Sequence, residues 1–342
     1  MSLWHALVIV LILGAVLTLV PILVWEERKV SARIQNRRGP NRVGPFGLLQ
    51  PIVDAIKLLA KEEVIPAGAE RFLYYAAPLM AFVPAGLAFA VIPVGNAIAI
   101  DAQMLRLAIA DLDIGILFVI AISSLGVYGL VFGGWTANSK YPLLGGLRAS
   151  AQLVSYEVAM GLAIVVVLLS SGSVRMDDIV LDQQRTLWGF FPLWNVFRQP
   201  IAALIFVVAA FAENNRLPFD LPEAEPELVG GYHTEYSGMK FGMFFMGEYV
   251  AMIAMSAVMV TLFFGGWGLP GIDPNDHSVL MGLITAAIFF AKVGLLTFFY
   301  IWVRWTLPRF RYDQLMRLGW KALIPLGLAN ILVTGLLGLW LG

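Results

Sequence analysis

LWHALVIVLILGAVLTLVPILVW, residues 3–25, contains no ionisable side chain except His5. A helix crossing the hydrocarbon core of a bilayer needs about 20 apolar residues. Lipid offers no partners to exposed backbone N–H and C=O groups, so a run of this length must pair them internally as a helix. The run closes on Trp25-Glu26-Glu27-Arg28-Lys29, an aromatic residue followed by charges, as expected where a helix leaves the membrane. No basic segment precedes it and no small-residue cleavage site follows, so it reads as a retained first span, not a signal peptide.

Working outward, similar runs recur at roughly 72–93, 112–134, 150–171, 199–217, 241–264, 279–302 and 321–341. The chain as a whole is 59% hydrophobic and only 13% charged, with a mean hydropathy of +0.80. Soluble domains carry about 25% charged residues, so this one lacks the polar surface to be water-soluble. The runs are too long for the strands of a membrane barrel. The expected fold is an all-α polytopic membrane protein of about eight transmembrane helices, a single membrane domain over 1–342. Glycine pairs at 133–134, 145–146, 230–231 and 265–266 punctuate the pattern, and Trp25, Trp135, Trp267, Trp302 and Trp340 fall where interfacial belts belong. Phe-Gly-Gly-Trp occurs at both 132–135 and 264–267, but the flanks do not match. It reads as a helix-ending glycine pair with a belt tryptophan and not as a repeat.

The basic residues are one-sided. Arg28, Lys29, Arg33, Arg37, Arg38, Arg42, Lys57, Lys61 and Arg71 follow the first span, and nine more follow the third, fifth and seventh, whereas the other side holds Arg106, Arg175, Arg185 and Arg198. The positive-inside rule places the rich side in the cytoplasm and both termini outside.

Two cytoplasmic loops are unusual. The first, 26–71, is too long for a simple connection. Within about 47–61, Leu48, Leu49, Ile52, Val53, Ile56, Leu59 and Ala60 fall on one helical face and Gln50, Asp54, Lys57 and Lys61 on the other. That predicts an amphipathic helix lying in the interface, with Pro51 tolerated in its first turn. The two Gly-Pro steps within Arg37–Pro45 stiffen the course before it, either as a basic anchor or as a frame that fixes arginine geometry. The other loop, 213–240, is acidic where its surroundings are basic: Glu213, Asp220, Glu223, Glu225, Glu227 and Glu235 face only Arg216 and Lys240. Its prolines and Phe219, Leu221, Leu228, Val229, Tyr232 and Tyr236 predict an ordered, packed segment. Carboxylates packed this way repel and lose solvation, so they become able to exchange protons near neutral pH.

Charges also lie inside the spans: Glu157, Glu248 and Lys292, with Asp111 and Asp113 opening the third span. A charge at bilayer depth is costly and marks an ion path or a structural pair. Glu157, Glu213 and Glu248 would continue the acidic loop inward as a proton route; Lys292 reads equally as an ion-pair partner of an intramembrane carboxylate. There are no cysteines and only three histidines, which excludes thiolate clusters and leaves bis-histidine haem without support.

At Glu27-Arg28-Lys29, RGPNRVGPFGLLQP (38–51), SYE (155–157), ENNRLPFDLPEAE (213–225) and GWTANSKY (134–141), the chain resembles the quinone-chamber membrane subunit, the H subunit, of bacterial respiratory complex I, the proton-pumping NADH:quinone oxidoreductase. The resemblance runs through nearly the whole length. It implies a multi-pass subunit of the bacterial inner membrane that carries no redox centre, with quinone as substrate and with the NADH site, FMN and iron–sulfur clusters in partner subunits. It implies partners of two kinds, hydrophilic iron–sulfur subunits and small or antiporter-like membrane subunits, and activity only in the assembly. Matching the motifs implies Arg28, Arg37, Asp54, Arg216, Asp220 and Phe245 as quinone-chamber residues, the tail entering between the first span, the sixth span and the interfacial helix. It implies Glu157, Glu213, Glu223, Glu225, Glu227, Glu235 and Glu248 as the start of a proton path. Some relatives have a carboxylate where this chain has Ser123-Ser124, which leaves open a proton carrier in the third span. The membrane subunit of a related energy-converting hydrogenase and a stand-alone proton-coupled transporter are the alternatives.

Overall fold

In the computed structural model, which describes residues 3–100, 103–187, 191–223 and 225–341, the opening apolar run extends well past Trp25. Helix α1 covers Leu3–Ile34, 32 residues, or roughly 48 Å at 1.5 Å per residue. It runs on through Pro21 in its interior, and only beyond Ile34 does the chain turn, Asn36 taking a left-handed φ of 53°. The charged turn at 26–29 is therefore helical, with its side-chain directions fixed by the helix.

The amphipathic helix forms as expected: α2, Gln50–Ala60, with Pro51 in its first turn. It is followed by α3 (Arg71–Leu87), then a strand pair β1 (Gly95–Ile100) and β2 (Gln103–Leu107), then α4 (Gly115–Thr136) and α5 (Lys140–Ser171). Short α6 (Met176–Gln183), β3 (Thr186–Leu187), β4 (Phe191–Pro192) and α7 (Asn195–Arg198) lead into α8 (Pro200–Glu213). Then come the single turn α9 (Glu225–Leu228), α10 (Gly238–Phe263), α11 (Val279–Thr306), α12 (Tyr312–Leu318) and α13 (Ile324–Leu341). The β1–β2 hairpin, antiparallel with Ile98 opposite Leu105, was not expected. It sits on the start of α11, where Asn96 N–H donates to Thr285 Oγ1 at 3.0 Å.

Among the described residues, seven helices are long and apolar enough to cross a membrane. The eighth expected span, α8, has 14 residues, roughly 21 Å at 1.5 Å per residue and short of a bilayer core. Pro200 sets its start, and Ala202, Ile205, Phe206, Ala209, Ala210 and Ala212 are all buried. Pro200, Ile201 and Leu204 are exposed and the rest of α8 is buried or half-buried, so most of the helix packs against protein and the length rule for lipid-exposed helices binds it less. α3 packs between α4 and α10, and α5 packs against α4, α8 and α13, leaving α10 the most enclosed helix of the bundle.

Two expected punctuation marks lie inside helices instead. Gly133-Gly134 belong to α4 and Gly145-Gly146 to α5. A Cβ at Gly134 would stand 2.4 Å from the Pro142 carbonyl oxygen, so these glycines permit close backbone approach and do not end spans. Gly265 and Gly266 do end α10, with φ of 69° and 53°. Trp135, Trp302 and Trp340 are exposed on the bundle surface, but Trp267 is buried in the core and is no belt residue.

Candidate functional site

α1 delivers Glu27 and Arg28 in different directions, because successive helical residues are turned by about 100°. Glu27 points into protein. Its carboxylate accepts from Arg216 Nη1 at 3.0 Å, from Tyr249 Oη at 2.6 Å and pairs with Arg304 Nη1 at 2.7 Å. Arg216, 1% exposed, also contacts Glu248 Oε1 through Nε at 2.5 Å, and its guanidinium lies 4.5 Å from the Tyr249 ring centre. The result is a buried chain Arg304–Glu27–Arg216–Glu248 of zero net charge. Ionised groups survive burial only when paired and hydrogen-bonded in this way.

Arg28 points to the other side, where Nη1 meets Asp54 Oδ2 of α2 at 2.5 Å. Partial desolvation opposes ionisation of Asp54, but hydrogen bonds from Gln50 and Arg28 outweigh it and hold the carboxyl below its usual range. The pair edges a cavity of about 610 Å³ between α1, α2 and α10, lined also by Lys57 and Lys61 and by apolar groups such as Val24, Ile52, Phe82, Phe241 and Phe245. An apolar pocket of this size with a few convergent charges is what small-molecule sites look like.

On the far side of the buried charges, α8, α10 and α4 enclose a narrow cavity of about 90 Å³ lined by Glu213, Glu248, Ser123 and Tyr232. Its volume suits a few waters. Glu213 Oε2, buried and without a hydrogen-bond partner among the described residues, is the kind of group such water would satisfy. Glu157 lies mid-helix, not near the start of its span, because α5 begins at Lys140. Its carboxylate meets the Ser124 hydroxyl of α4.

The acidic loop packs closely over this end. Phe219, Leu221, Leu228, Tyr232 and Tyr236 are buried. Gln152, fully buried in α5, donates to the carbonyls of Ala212 and Phe219, each at 2.8 Å. Tyr74 donates to the Glu235 carbonyl at 2.8 Å and stacks on Tyr236 at 4.3 Å. Asp220 pairs with Arg309 at 2.7 Å beside a third cavity of about 240 Å³ that includes Glu223, His233 and Arg304. Burial, then the neighbouring negative charges of Glu248 and Asp220, push the Glu223 carboxyl well above its usual range, against a hydrogen bond donated by Tyr232 at 3.0 Å. Burial pushes His233 down to about 4. With that imidazole neutral, its 3.7 Å approach to Glu223 is not an ion pair at neutral pH.

Of the residues singled out by resemblance, Arg28, Asp54 and Phe245 share the large cavity, while Arg216 sits behind it and Asp220 lines the small polar one. Arg37 is exposed, its Nε donating to Gln35 at 2.7 Å, and lines none of these cavities. Glu213, Glu248 and Glu223 lie close to the buried network. Glu227 is turned outward, paired with Arg148 at 2.6 Å, and Glu235 lines no cavity named above. The side chain of Glu225 lies outside the described residues. Sequence reasoning missed Glu27 as a site residue, although it stands in the Glu27-Arg28-Lys29 motif and in a doubled Glu26-Glu27 at a membrane exit. Lys292 pairs with no carboxylate among the described residues. Its ammonium donates to the carbonyls of Phe264, Gly266 and Gly268 at 2.7–2.8 Å, closing the end of α10.

The family model described as NADH dehydrogenase matches residues 6–335. The chain is 52% identical to NADH-quinone oxidoreductase subunit 8 of Rhodothermus marinus, over 97% of this chain and 96% of that one. The chain belongs to the H-subunit family of NADH-quinone oxidoreductases. Within that family, the first H-type subunit of Geobacter metallireducens is 51% identical over 97% of this chain and 95% of its own length. The H-type subunit of Thermomicrobium roseum is 48% identical over 98% of both chains. Family membership makes this a subunit of a multi-subunit oxidoreductase, and the seven apolar helices make it a multi-pass membrane protein.

Proposed function

We propose that the chain forms much of the quinone chamber of its complex and the first stretch of a proton path. The observation that carries this is the divergence of Glu27 and Arg28 from one turn of α1. Arg28 and Asp54 edge a lipid-side cavity while Glu27 joins the Arg216–Glu248 network at its back. In this reading the quinone tail enters between α1, α2 and α10. The headgroup goes inward toward the charged groups, and the redox centres that feed it belong to partner subunits. The basic end of the bundle faces the cytoplasm and both termini face outward. The chain works only within the assembly.

Two-electron reduction of a quinone to quinol takes up two protons, so negative charge builds beside the network until they arrive. A unit charge roughly 10 Å from a buried carboxylate changes its energy by about 1.7 kcal/mol at an effective dielectric of about 20. That exceeds a tenfold change in its protonation equilibrium. Glu248 answers through Arg216, and Glu213 and Glu157 extend the response away from the chamber, past Ser123-Ser124. The packed loop, with Glu223, Glu225, Glu227 and Glu235, supplies further exchangeable sites.

In the assembled complex, Glu213→Gln and Glu225→Gln should each slow coupled quinone reduction several-fold while leaving NADH oxidation by artificial acceptors intact. Unaltered quinone turnover and proton pumping in both variants would defeat the reading. A photoreactive quinone that labels only other subunits would defeat the chamber half alone.

A further inference from the structure

α1 has a cavity on each flank. Opposite the Arg28–Asp54 cavity, a groove of about 360 Å³ runs between α1 and α11, walled by Leu19, Leu23, Ile253, Val293, Gly294 and Phe298. Its rim residues Ile22, Leu295 and Phe298 are exposed on the outside of the bundle, within spans whose outer surface meets lipid. The volume falls in the range of roughly 300–1,000 Å³ typical of small-molecule sites. The groove is apolar except at Glu26, its one ionisable lining residue, and Thr297, whose hydroxyl is already bonded to the Val293 and Gly294 carbonyls.

Glu26 is half-buried, and its carboxylate makes no hydrogen bond or ion pair among the described residues. Lys29, one turn along, would be its natural partner. Its ammonium lies instead toward the Trp25 ring, 5.7 Å from the centre. A partly desolvated carboxylate beside an apolar slot attracts a cation that arrives attached to apolar matter. We propose that this groove binds phosphatidylethanolamine, one acyl chain lying along Leu23, Val293 and Gly294 and the headgroup ammonium pairing with Glu26. A primary ammonium brings three hydrogen-bond donors, a quaternary choline brings none, and a purely anionic headgroup is repelled. Lys29 stands one turn from Glu26 on the same side of α1, within reach of the lipid phosphate. The bound chain fills the space behind α1 and steadies the helix that carries Arg28. The site is independent of the quinone reading.

Gly294 gives a clean test, because a Cβ built there meets nothing within 4 Å. A side chain there has room to start into the groove, and Gly294→Phe is the variant chosen to fill it. The assembled complex would be placed in nanodiscs of phosphatidylcholine containing graded phosphatidylethanolamine or phosphatidylglycerol, then extracted, and its retained lipid measured by mass spectrometry. The wild type should keep phosphatidylethanolamine over phosphatidylcholine. Glu26→Gln should cut that preference about fivefold or more, as expected for loss of a charge-assisted bond. Gly294→Phe should lose the retained lipid whatever its headgroup, with NADH oxidation by artificial acceptors reporting intact assembly. Equal retention in all three proteins, or a phosphatidylethanolamine preference that survives Glu26→Gln, overturns the proposal. So does a photoreactive quinone that labels α11 in the wild type and not in Gly294→Phe.

Discussion

Replacing Arg216 by Gln strands two buried carboxylates at once. Glu27 and Glu248 are 8% and 12% exposed, and both contact the one guanidinium, itself 1% exposed. Removing one partner of a buried ion pair costs about 3–5 kcal/mol, because the remaining charge stays desolvated without compensation. Glu27 keeps Arg304, 25% exposed, and that contact offsets part of the cost. Glu248 has no second cation at ion-pair distance among the described residues, so most of the loss falls there. Glu248→Gln alone should be milder, since Arg216 retains Glu27 and the Tyr249 ring. In the double variant the stranded charge of Glu248 is gone, so its destabilisation should fall short of the two singles summed by about 1–3 kcal/mol, the range for directly coupled residues. Unfolding in mixed detergent micelles, followed by tryptophan fluorescence, measures all four corners of the cycle. Additivity within about 0.5 kcal/mol would mean that the two groups do not share one network, and the electrostatic argument would fail.

Lys292→Met should free three carbonyls at the end of α10 and destabilise that end by about 2–4 kcal/mol, read as faster amide exchange at residues 260–268. Gly134→Ala should force α4 and α5 apart, since its Cβ would meet the Pro142 carbonyl at 2.4 Å; a cost of about 1–3 kcal/mol should appear as a lowered unfolding midpoint. His233, whose folded pKa of about 4 lies below the usual 6.5, binds its proton more readily in the unfolded chain. Its contribution is therefore present at neutral pH and lost as pH falls from about 6.5 toward 4, by at most about 3 kcal/mol. Glu223, raised in the folded chain, acts in the opposite sense, its folded form favoured on the acid side. The difference in amide exchange between wild type and His233→Gln over residues 228–236 should grow across that window, and a flat difference would count against a buried neutral imidazole.

The spans were legible because a bilayer imposes a length that apolar runs either meet or miss, and α2 because its two faces separate by period. α8 sits at the edge of that rule: the 199–217 run looks like a span, and the helix covers only Pro200–Glu213, 14 residues. The glycine pairs at 133–134 and 145–146 carry identical signals whether they end a helix or let two helices touch, and only packing separates the cases. Resemblance pointed to Arg216 and Glu248, but the local sequence could not show that Glu27 joins them, since its partners lie 189 residues away at Arg216 and 222 away at Tyr249. What fixes Glu27 is the continuation of α1 through Ile34. Had the helix ended at Trp25, as hydropathy alone suggests, neither Glu27 nor Arg28 would have a set direction. Because it continues, a turn of about 100° sends the carboxylate into the buried network and the guanidinium into the cavity. One helical step thus ties the Arg28–Asp54 cavity to the buried carboxylates, and any displacement of α1 must be felt by both.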